Sequence, residues 1–183
     1  RTNTFSPVRL GCPAPSFTEA LSYQKNQNDF RSIALADYRG KWLVFFFYPR
    51  DFTFICPTEL KAFSAQEAEF KKLNAEVLAC STDSEWSHKS WFERDLPEIS
   101  YPILADTTQS IARAYGVLND QNGSAERGLF IIDPEGILRY VLISAGSVGR
   151  SVKETLRVLT ALQTGERCPI DWVPGTPTLS GTK

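Results

Sequence analysis

The sequence predicts an α/β fold with a mixed sheet and helices on both of its faces. The run WLVFFFY at 42–48 has no polar alternation, which is typical of a strand buried on both faces in the middle of a sheet. Strand and helix patterns alternate along the chain, so the early strands should be parallel. The late strands RGLFIID and ILRYVLIS are joined by the short turn PEG and predict an antiparallel hairpin.

The first half of the chain predicts these elements in order. Residues 1–30 predict an irregular lead-in that ends in a surface loop, SYQKNQNDF. After the central strand, Pro57 fits the first position of a helix that continues through TELKAFSAQEAEFKKL. The strand AEVLACST at 75–82 follows, and then a helix around EWSHKSWFERD, in which we interpret His88 and Trp91 as packing residues. The short segment YPILAD should be extended.

Capping signals mark the two helices of the second half. Asp106 with Gln109 predicts a cap for a helix over TTQSIARAYG. Ser151 with Glu154 predicts a capping box for the last helix, whose apolar residues recur on one face until Gly165. Each helix therefore has a start that can be checked in the structure.

Length and composition predict one domain over residues 1–183. This length falls within the roughly 100–200 residues usual for a domain. The segment from about 165 to 183 is rich in Pro, Gly and Thr without a period, which predicts a tail outside the core. The net charge of −1 argues against nucleic acid or a membrane surface as a partner. No apolar run approaches the roughly 18 residues of a membrane-spanning helix.

The cysteine pattern argues against a structural zinc site. The sequence has four cysteines, which are Cys12, Cys56, Cys80 and Cys168. They form no C-x-x-C and no close pair with the single histidine, so we expect no zinc and no other metal or cofactor. Cys80 lies in a predicted core strand and should be a packed thiol, and we expect no catalytic role for it or for Cys12.

Cys56 lies where the central strand leads into a helix, in the segment YPRDFTFICPTEL. A thiolate at a helix N-terminus is a candidate nucleophile, whereas a buried, inert thiol is the alternative. Thr53 lies close enough in sequence for its hydroxyl to share the site. A cation is missing from the segment itself, and Arg127, which opens RGLFIID, is one candidate. Spacing alone does not select among Arg50, Arg113, Arg127 and Arg150.

Several motifs together resemble one enzyme family. PRDFTFIC has the form Pro-x-x-x-Thr-x-x-Cys, and APSFT, STDSEWSHKSW, RGLFIID, VGRSVKETLRVLTALQ and ERCPIDW follow in the family order. The sequence resembles the typical two-cysteine peroxiredoxins, the branch of alkyl hydroperoxide reductase and the thiol-specific antioxidant proteins, over almost the whole chain. The resemblance implies a thioredoxin-like fold and thiol-dependent reduction of hydrogen peroxide and organic hydroperoxides, in antioxidant defence and redox homeostasis.

The resemblance also implies a role for each residue near Cys56. Cys56 matches the peroxidatic cysteine, whose thiolate attacks the peroxide and becomes a sulfenic acid. Thr53 would hydrogen-bond the thiolate and the peroxide, and Arg127 would stabilise the thiolate and polarise the peroxide. Pro49 would cover the sulfur and limit the access of water, and Glu59 would hold Arg127 in place.

Cys168, in GERCPIDW, matches the resolving cysteine of the family. There it reaches Cys56 of the partner subunit and forms a disulfide, which thioredoxin or a similar dithiol reductase then reduces. The resemblance thus implies a homodimer, or the ring-shaped decamers that this branch often forms. A cytoplasmic location suits such thiol chemistry. An organelle stroma or matrix stays open because the sequence begins at Arg1 and contains no methionine.

Two other functions stay open at this point. Oxidation of Cys56 could serve a redox-regulated chaperone or a peroxide-signalling relay, and rapid turnover with a dithiol donor would favour the enzyme instead. A thiol–disulfide oxidoreductase is disfavoured because the sequence has no C-x-x-C. Relatives that are easily overoxidised carry Gly-Gly-Leu-Gly and a C-terminal Tyr-Phe pair. Neither is found in the corresponding RDLPEISYP and GTPTLSGTK, so we expect Cys56 to resist conversion to sulfinic acid.

Overall fold

The computed structural model describes residues 8–26 and 29–180. Its strands form one seven-stranded sheet in the order β2-β1-β5-β4-β3-β6-β7. The strands are β1 (Ala20–Gln24), β2 (Asp29–Ile33), β3 (Trp42–Phe47), β4 (Ala75–Ser81), β5 (Ile103–Ala105), β6 (Arg127–Ile132) and β7 (Leu138–Ser144). The helices are α1 (Cys56–Ala65), α2 (Glu67–Lys72), α3 (Glu85–Asp95), α4 (Ser110–Ala114) and α5 (Val152–Thr164), with a short 3₁₀ helix at Leu35–Tyr38.

The chain forms two compact units, one that ends at Arg150 and one that begins at Ser151. The first unit contains the sheet and α1–α4, and the second contains α5 and the segment that follows it. Within the second unit α5 ends at Thr164, and the segment predicted as a tail from about 165 follows it. None of the described helices is long and apolar enough to cross a bilayer.

β3 is a central strand of the sheet. It pairs in parallel with β4 and antiparallel with β6. Its residues Leu43–Phe47 are each at most 1% exposed, which confirms the interpretation of WLVFFFY as a buried strand. β4 and β5 are parallel and β6 and β7 antiparallel, so the predicted mixed sheet is confirmed.

Helices cover both faces of this sheet within the first unit. Successive side chains of a strand point to opposite faces. On one face Phe45 and Phe47 lie with their ring centroids 5.0 and 5.5 Å from that of Tyr115, which caps α4. On the other face Phe46 stacks on Phe63 of α1 at 4.3 Å. The phenylalanines of β3 thus pack against helices on both faces of the sheet, as an α/β fold requires.

The predicted surface loop SYQKNQNDF was wrong. It contributes to β1 and β2, which pair antiparallel as a hairpin. Residues 27 and 28 of the predicted loop lie outside the described residues, as do residues 1–7 of the predicted lead-in. Tyr23 is buried at 2% exposure whereas Leu21 on the opposite side of the strand is 37% exposed. Because few apolar residues are needed on such a half-exposed hairpin, polar composition concealed the strands.

The helix predicted over TELKAFSAQEAEFKKL is divided in two. α1 begins at Cys56, one residue before Pro57, and ends at Ala65. Gln66 separates it from α2, and its N–H donates to the carbonyl oxygen of Phe63, 3.2 Å away, in a tighter turn than an α-helix has.

α4 is shorter than the sequence predicted, and of the predicted cap only Asp106 binds the helix start, because the Gln109 side chain donates to Gly123 instead. The Asp106 carboxylate accepts the N–H groups of Ile111 and Ala112 at 3.1 and 2.7 Å. Gln109 precedes the helix in the left-handed region, with φ of 64°. In the second unit the Ser151 hydroxyl accepts the N–H of Glu154, as the capping box predicts.

We expect Gly128→Ala to destabilise the fold by overpacking β6. An added Cβ would lie 2.6 Å from Cγ1 of Val117 and 3.0 Å from Cε2 of Phe130, and both residues are fully buried. The free energy of unfolding, measured by urea denaturation, should fall by about 1–3 kcal/mol. Gly146→Ala is the control because its Cβ would meet no atom within 4 Å. Equal losses in the two variants would contradict the packing argument.

Candidate active site

Cys56 is the first residue of α1, which follows the loop that leaves β3. Its side chain is 1% exposed, and it forms no disulfide within the described residues. The first turn of a helix carries partial positive charge from its N–H groups. The sulfur is therefore buried at a position that favours negative charge.

Arg127, at the start of β6, is the one of the four candidate arginines that the structure places on the sulfur. Its Nη1 lies 3.5 Å from Cys56 Sγ, and its Nε donates to the carbonyl oxygen of Gly146 at 2.9 Å. Because β6 runs antiparallel beside β3, the beginning of β6 lies near the end of β3, where the loop to Cys56 starts. Sheet topology thus brings together two residues that are far apart in sequence.

The Glu59 carboxylate in the first turn of α1 binds two arginines. Arg127 Nη1 donates to Glu59 Oε2 at 2.7 Å. Arg150 donates to Glu59 from its main-chain N, Nε and Nη2 at 2.6, 2.8 and 2.8 Å. Arg150 Nη1 also donates to the carbonyl oxygens of Phe47 and Gly128, both at 2.7 Å. The three charged side chains are at most 3% exposed, so the cluster ties α1 to β3 and β6.

This cluster keeps Glu59 ionised. Burial by itself would raise the pKa of Glu59, but the hydrogen bonds and charge of Arg150, with the charge of Arg127, outweigh burial and lower the pKa below its ordinary value. One carboxylate then faces two guanidinium groups. The surplus positive charge lies where Arg127 contacts the sulfur, so it favours an anion at that point.

A cavity of about 440 Å³ adjoins Cys56, and Pro49 and Thr53 line it as well. The Thr53 hydroxyl donates to the carbonyl oxygen of Arg50 at 2.9 Å, so its own oxygen is left as an acceptor. Arg127 and Gly146 also line the cavity. A small molecule in it can therefore meet a thiol, a cation and a hydrogen-bond acceptor together.

The sequence matches a known protein family. Residues 10–141 match the model of the AhpC/TSA family. The chain belongs to the AhpC/TSA family. It is similar to the thioredoxin peroxidase of Trypanosoma brucei rhodesiense, at 49% identity over 94% of this chain and 90% of that protein. It is also similar to peroxiredoxin-1 of Gallus gallus, at 48% identity over 93% of this chain and 89% of that protein.

A solved structure gives the same result for the fold. The reduced 2-Cys peroxiredoxin of Plasmodium vivax superposes with a TM-score of 0.87 at 34% identity, over 93% of this chain and 92% of that one. The family, the thioredoxin-like fold and the enzyme class that the sequence predicted are thereby confirmed. The chain is a peroxiredoxin, an enzyme that reduces peroxides in antioxidant defence.

The loop of the peroxiredoxin before Cys56 is anchored to α3 by buried polar groups. The Asp51 carboxylate accepts the hydroxyls of Tyr48 and Ser87 at 2.6 and 2.8 Å and lies 2.7 Å from His88 Nδ1. His88 Nε2 donates to the carbonyl oxygen of Leu104 at 3.0 Å. His88 and Asp51 thus act as internal supports, in keeping with the interpretation of His88 as a packing residue.

The other three cysteines of the peroxiredoxin have different surroundings. Cys80 on β4 is fully buried, and burial raises the pKa of its thiol well above the ordinary value, with Asp106 and Asp83 adding to the effect. Cys12 is exposed. Cys168 belongs to the second unit, where its Sγ lies 3.5 Å from the hydroxyl of Thr164 after the end of α5.

Sequence reasoning missed part of the site. It named Arg150 only as one of four possible cations, although this residue holds Glu59. It assigned nothing to the turn over residues 119–126, which supplies Asn119, Asn122 and Glu126 to the cavity. No sequence signal points to the Gly146 carbonyl, since every residue carries one. Glu126 could have been noticed as a charged residue beside the candidate cation.

Proposed function

We propose that this peroxiredoxin reduces hydroperoxides through a sulfenic acid on Cys56, which Cys168 of the partner subunit resolves as a disulfide. The observation that carries the proposal is the 3.5 Å contact between Arg127 Nη1 and Cys56 Sγ at the cavity. A guanidinium donor at a buried sulfur suits a nucleophile rather than an inert packed thiol. The packed thiol of Cys80 on β4 differs, because burial, with Asp106 and Asp83, raises its pKa well above the ordinary value.

The proposed reaction has a simple balance. The Cys56 thiolate attacks the distal oxygen of the hydroperoxide, the S–O bond forms and the O–O bond breaks. The leaving alkoxide or hydroxide takes a proton and departs as alcohol or water, and Cys56 is left as a sulfenic acid. Arg127 donates to the oxygens on which negative charge develops, which is the role of a fixed donor in transition-state stabilisation.

Thr53 and Pro49 complete the proposed site. Because the Thr53 hydroxyl already donates to Arg50, its oxygen can accept the O–H of the hydroperoxide and orient it. Pro49 lines the cavity with a side chain that has no donor, and it limits the water around the sulfur. Positioning of this kind is a large part of catalysis when two small reactants must meet in line.

Resolution requires a second thiol. The thiol of Cys168 of the partner subunit would attack the sulfenic acid, forming the disulfide and releasing water. Thioredoxin or a similar dithiol reductase then takes up the disulfide bond by exchange and restores both thiols. The active form is on this proposal a homodimer, alone or within a ring-shaped decamer. A reducing compartment such as the cytosol would supply the reductant.

Non-reducing electrophoresis after one equivalent of hydrogen peroxide tests the proposal. We expect a covalent dimer in the unsubstituted protein and none in Cys56→Ser or Cys168→Ser. Cys168→Ser should still consume about one peroxide per protomer, because the first step needs only Cys56. Cys12→Ser, at an exposed position outside the cavity, is the matched control and should keep the dimer.

Each result separates the proposal from its alternatives. A dimer that survives in Cys56→Ser would show that another thiol reacts. A dimer that forms without turnover when thioredoxin is added would favour the chaperone or relay function. Multiple turnover with thioredoxin supports the enzyme as proposed.

A further inference from the structure

We propose that the Glu126 carboxylate is a specificity-determining group that makes the cavity select against hydroperoxides carrying a negative charge. Glu126 immediately precedes Arg127 and lines the cavity together with Cys56. The inference rests on the proposed function, because it concerns which substrate reaches Cys56. It extends that function by naming the favoured class, neutral hydroperoxides.

The wall of the cavity that contains Glu126 is the turn over residues 119–126, flanked by a short β-bridge. Leu118 and Ala125 form an antiparallel bridge, and the N–H of Glu126 donates to the carbonyl oxygen of Val117 at 2.7 Å. The turn closes through the N–H of Asn119, which donates to the carbonyl oxygen of Ser124 at 2.8 Å. These main-chain bonds fix the direction in which the Glu126 side chain leaves the backbone.

The same turn is attached to the rest of the first unit. The Thr82 hydroxyl and the Gln109 side-chain amide both donate to the carbonyl oxygen of Gly123, at 2.8 and 3.2 Å. Arg50 Nη2 donates to the carbonyl oxygen of Asn122 at 2.7 Å. The wall is therefore formed before any substrate binds, as a specificity element must be.

The Glu126 carboxylate is hydrogen-bonded by a neutral side chain, that of Asn119, and keeps its negative charge. Asn119 Nδ2 donates to Glu126 Oε1 at 3.0 Å. This amide is neutral, so it orients the carboxylate without cancelling its charge. Glu59 differs in this respect, since two guanidinium groups bind it.

The charges around Cys56 show what Glu126 adds. A Cys56 thiolate and Glu59 together balance Arg127 and Arg150, so the inner part of the site has no net charge. Arg50 Nη2 donates to the main-chain carbonyl of Asn122 in this wall. Among the described residues that line the cavity, Glu126 is the one acidic residue.

A neutral hydroperoxide and an anionic one meet this wall differently. An anion in the cavity is repelled by the carboxylate across a medium of lower dielectric than water, whereas a neutral molecule of the same shape is not. For a partly exposed group this repulsion corresponds to roughly a three- to tenfold difference in rate. Salt should weaken it, because dissolved ions screen charges that are open to solvent.

A matched pair of substrates tests the inference. We would measure the second-order rate constant of Cys56 oxidation with a tertiary alkyl hydroperoxide that bears a carboxylate, and with its methyl ester. The readout is the ratio of the two constants, carboxylate over ester, at low ionic strength and neutral pH. Glu126→Gln should raise this ratio by about threefold or more, and the gain should shrink in about 0.5 M salt.

Two further variants keep the test specific. Glu135→Gln makes the same change of charge at an exposed position in the β6–β7 turn and should leave the ratio as it is. Glu126→Asp keeps the charge and should also leave the ratio as it is. A ratio that rises equally in Glu126→Asp and Glu126→Gln, or that does not rise in Glu126→Gln, would overturn the inference. Failure of the unsubstituted protein to react with either peroxide would instead contradict the proposed function.

Discussion

Replacing Arg127 by glutamine should lower the rate constant for peroxide reduction by about a hundred- to a thousandfold. The substitution removes the donor that lies 3.5 Å from Cys56 Sγ. It also removes the positive charge that would meet the developing negative charge on the peroxide oxygens. The measurement is competition with a haem peroxidase for hydrogen peroxide, which gives the rate of the first step directly.

The structure indicates that Arg127→Gln will fold. Glu59 keeps the hydrogen bonds from the main-chain N, Nε and Nη2 of Arg150, so its buried carboxylate is not left alone. A loss of rate can therefore be read as a loss of chemistry, with thermal unfolding as the check. Arg113→Gln is the matched control, since Arg113 pairs with the exposed Asp120 and does not line the cavity. A loss below tenfold in Arg127→Gln would contradict the role of this arginine.

Glu59→Gln should have the largest effect on stability, a loss of about 3–5 kcal/mol in the free energy of unfolding. The substitution removes the one carboxylate that the buried guanidinium groups of Arg127 and Arg150 share, at 3% and 2% exposure of their side chains. Denaturation in urea at neutral pH measures the loss. Glu135→Gln is the control, because the same chemical change at an exposed turn should cost little.

The effect of Glu59→Gln should also depend on pH. The pKa of Glu59 is lowered in the folded state, so its stabilisation is fully present above the ordinary value of 4.5 and is lost as pH falls through the lower folded value. The difference in stability between the unsubstituted protein and Glu59→Gln should be constant at neutral pH and narrow below about pH 4.5. A difference that widens in acid would contradict the charge assigned to Glu59.

Much of the fold could be predicted because the strongest signals are local. A strand such as WLVFFFY, buried on both faces, has no polar residue to obscure it, and the capping residues of α5 mark its start by their own chemistry. The β1–β2 hairpin was missed because it is half exposed and its turn residues are typical of a loop. The break at Gln66 was missed because the apolar spacing continues across it.

The candidate site divides in a similar way. Cys56, Thr53 and Pro49 lie in one short segment and could be found together. Without the family resemblance, selecting Arg127 from four arginines requires the antiparallel pairing of β3 and β6, which is a long-range property of the sheet. The family resemblance named Arg127 before the geometry did. Only the tertiary structure shows that Arg150 binds Glu59 and that Glu126 lines the cavity.

Because Cys56 is buried, the size of a reagent should decide whether it reaches the sulfur. Among the described residues Cys56 is 1% exposed, and it lines the cavity of the site. A hydroperoxide is small enough to enter the cavity, whereas we expect a bulky maleimide or another protein's thiol to react only after the start of α1 has opened. The rate of labelling by a large reagent therefore measures how often the helix opens, while peroxide consumption measures chemistry in the closed state. Both rates, that of labelling and that of peroxide consumption, can be measured on the same protein.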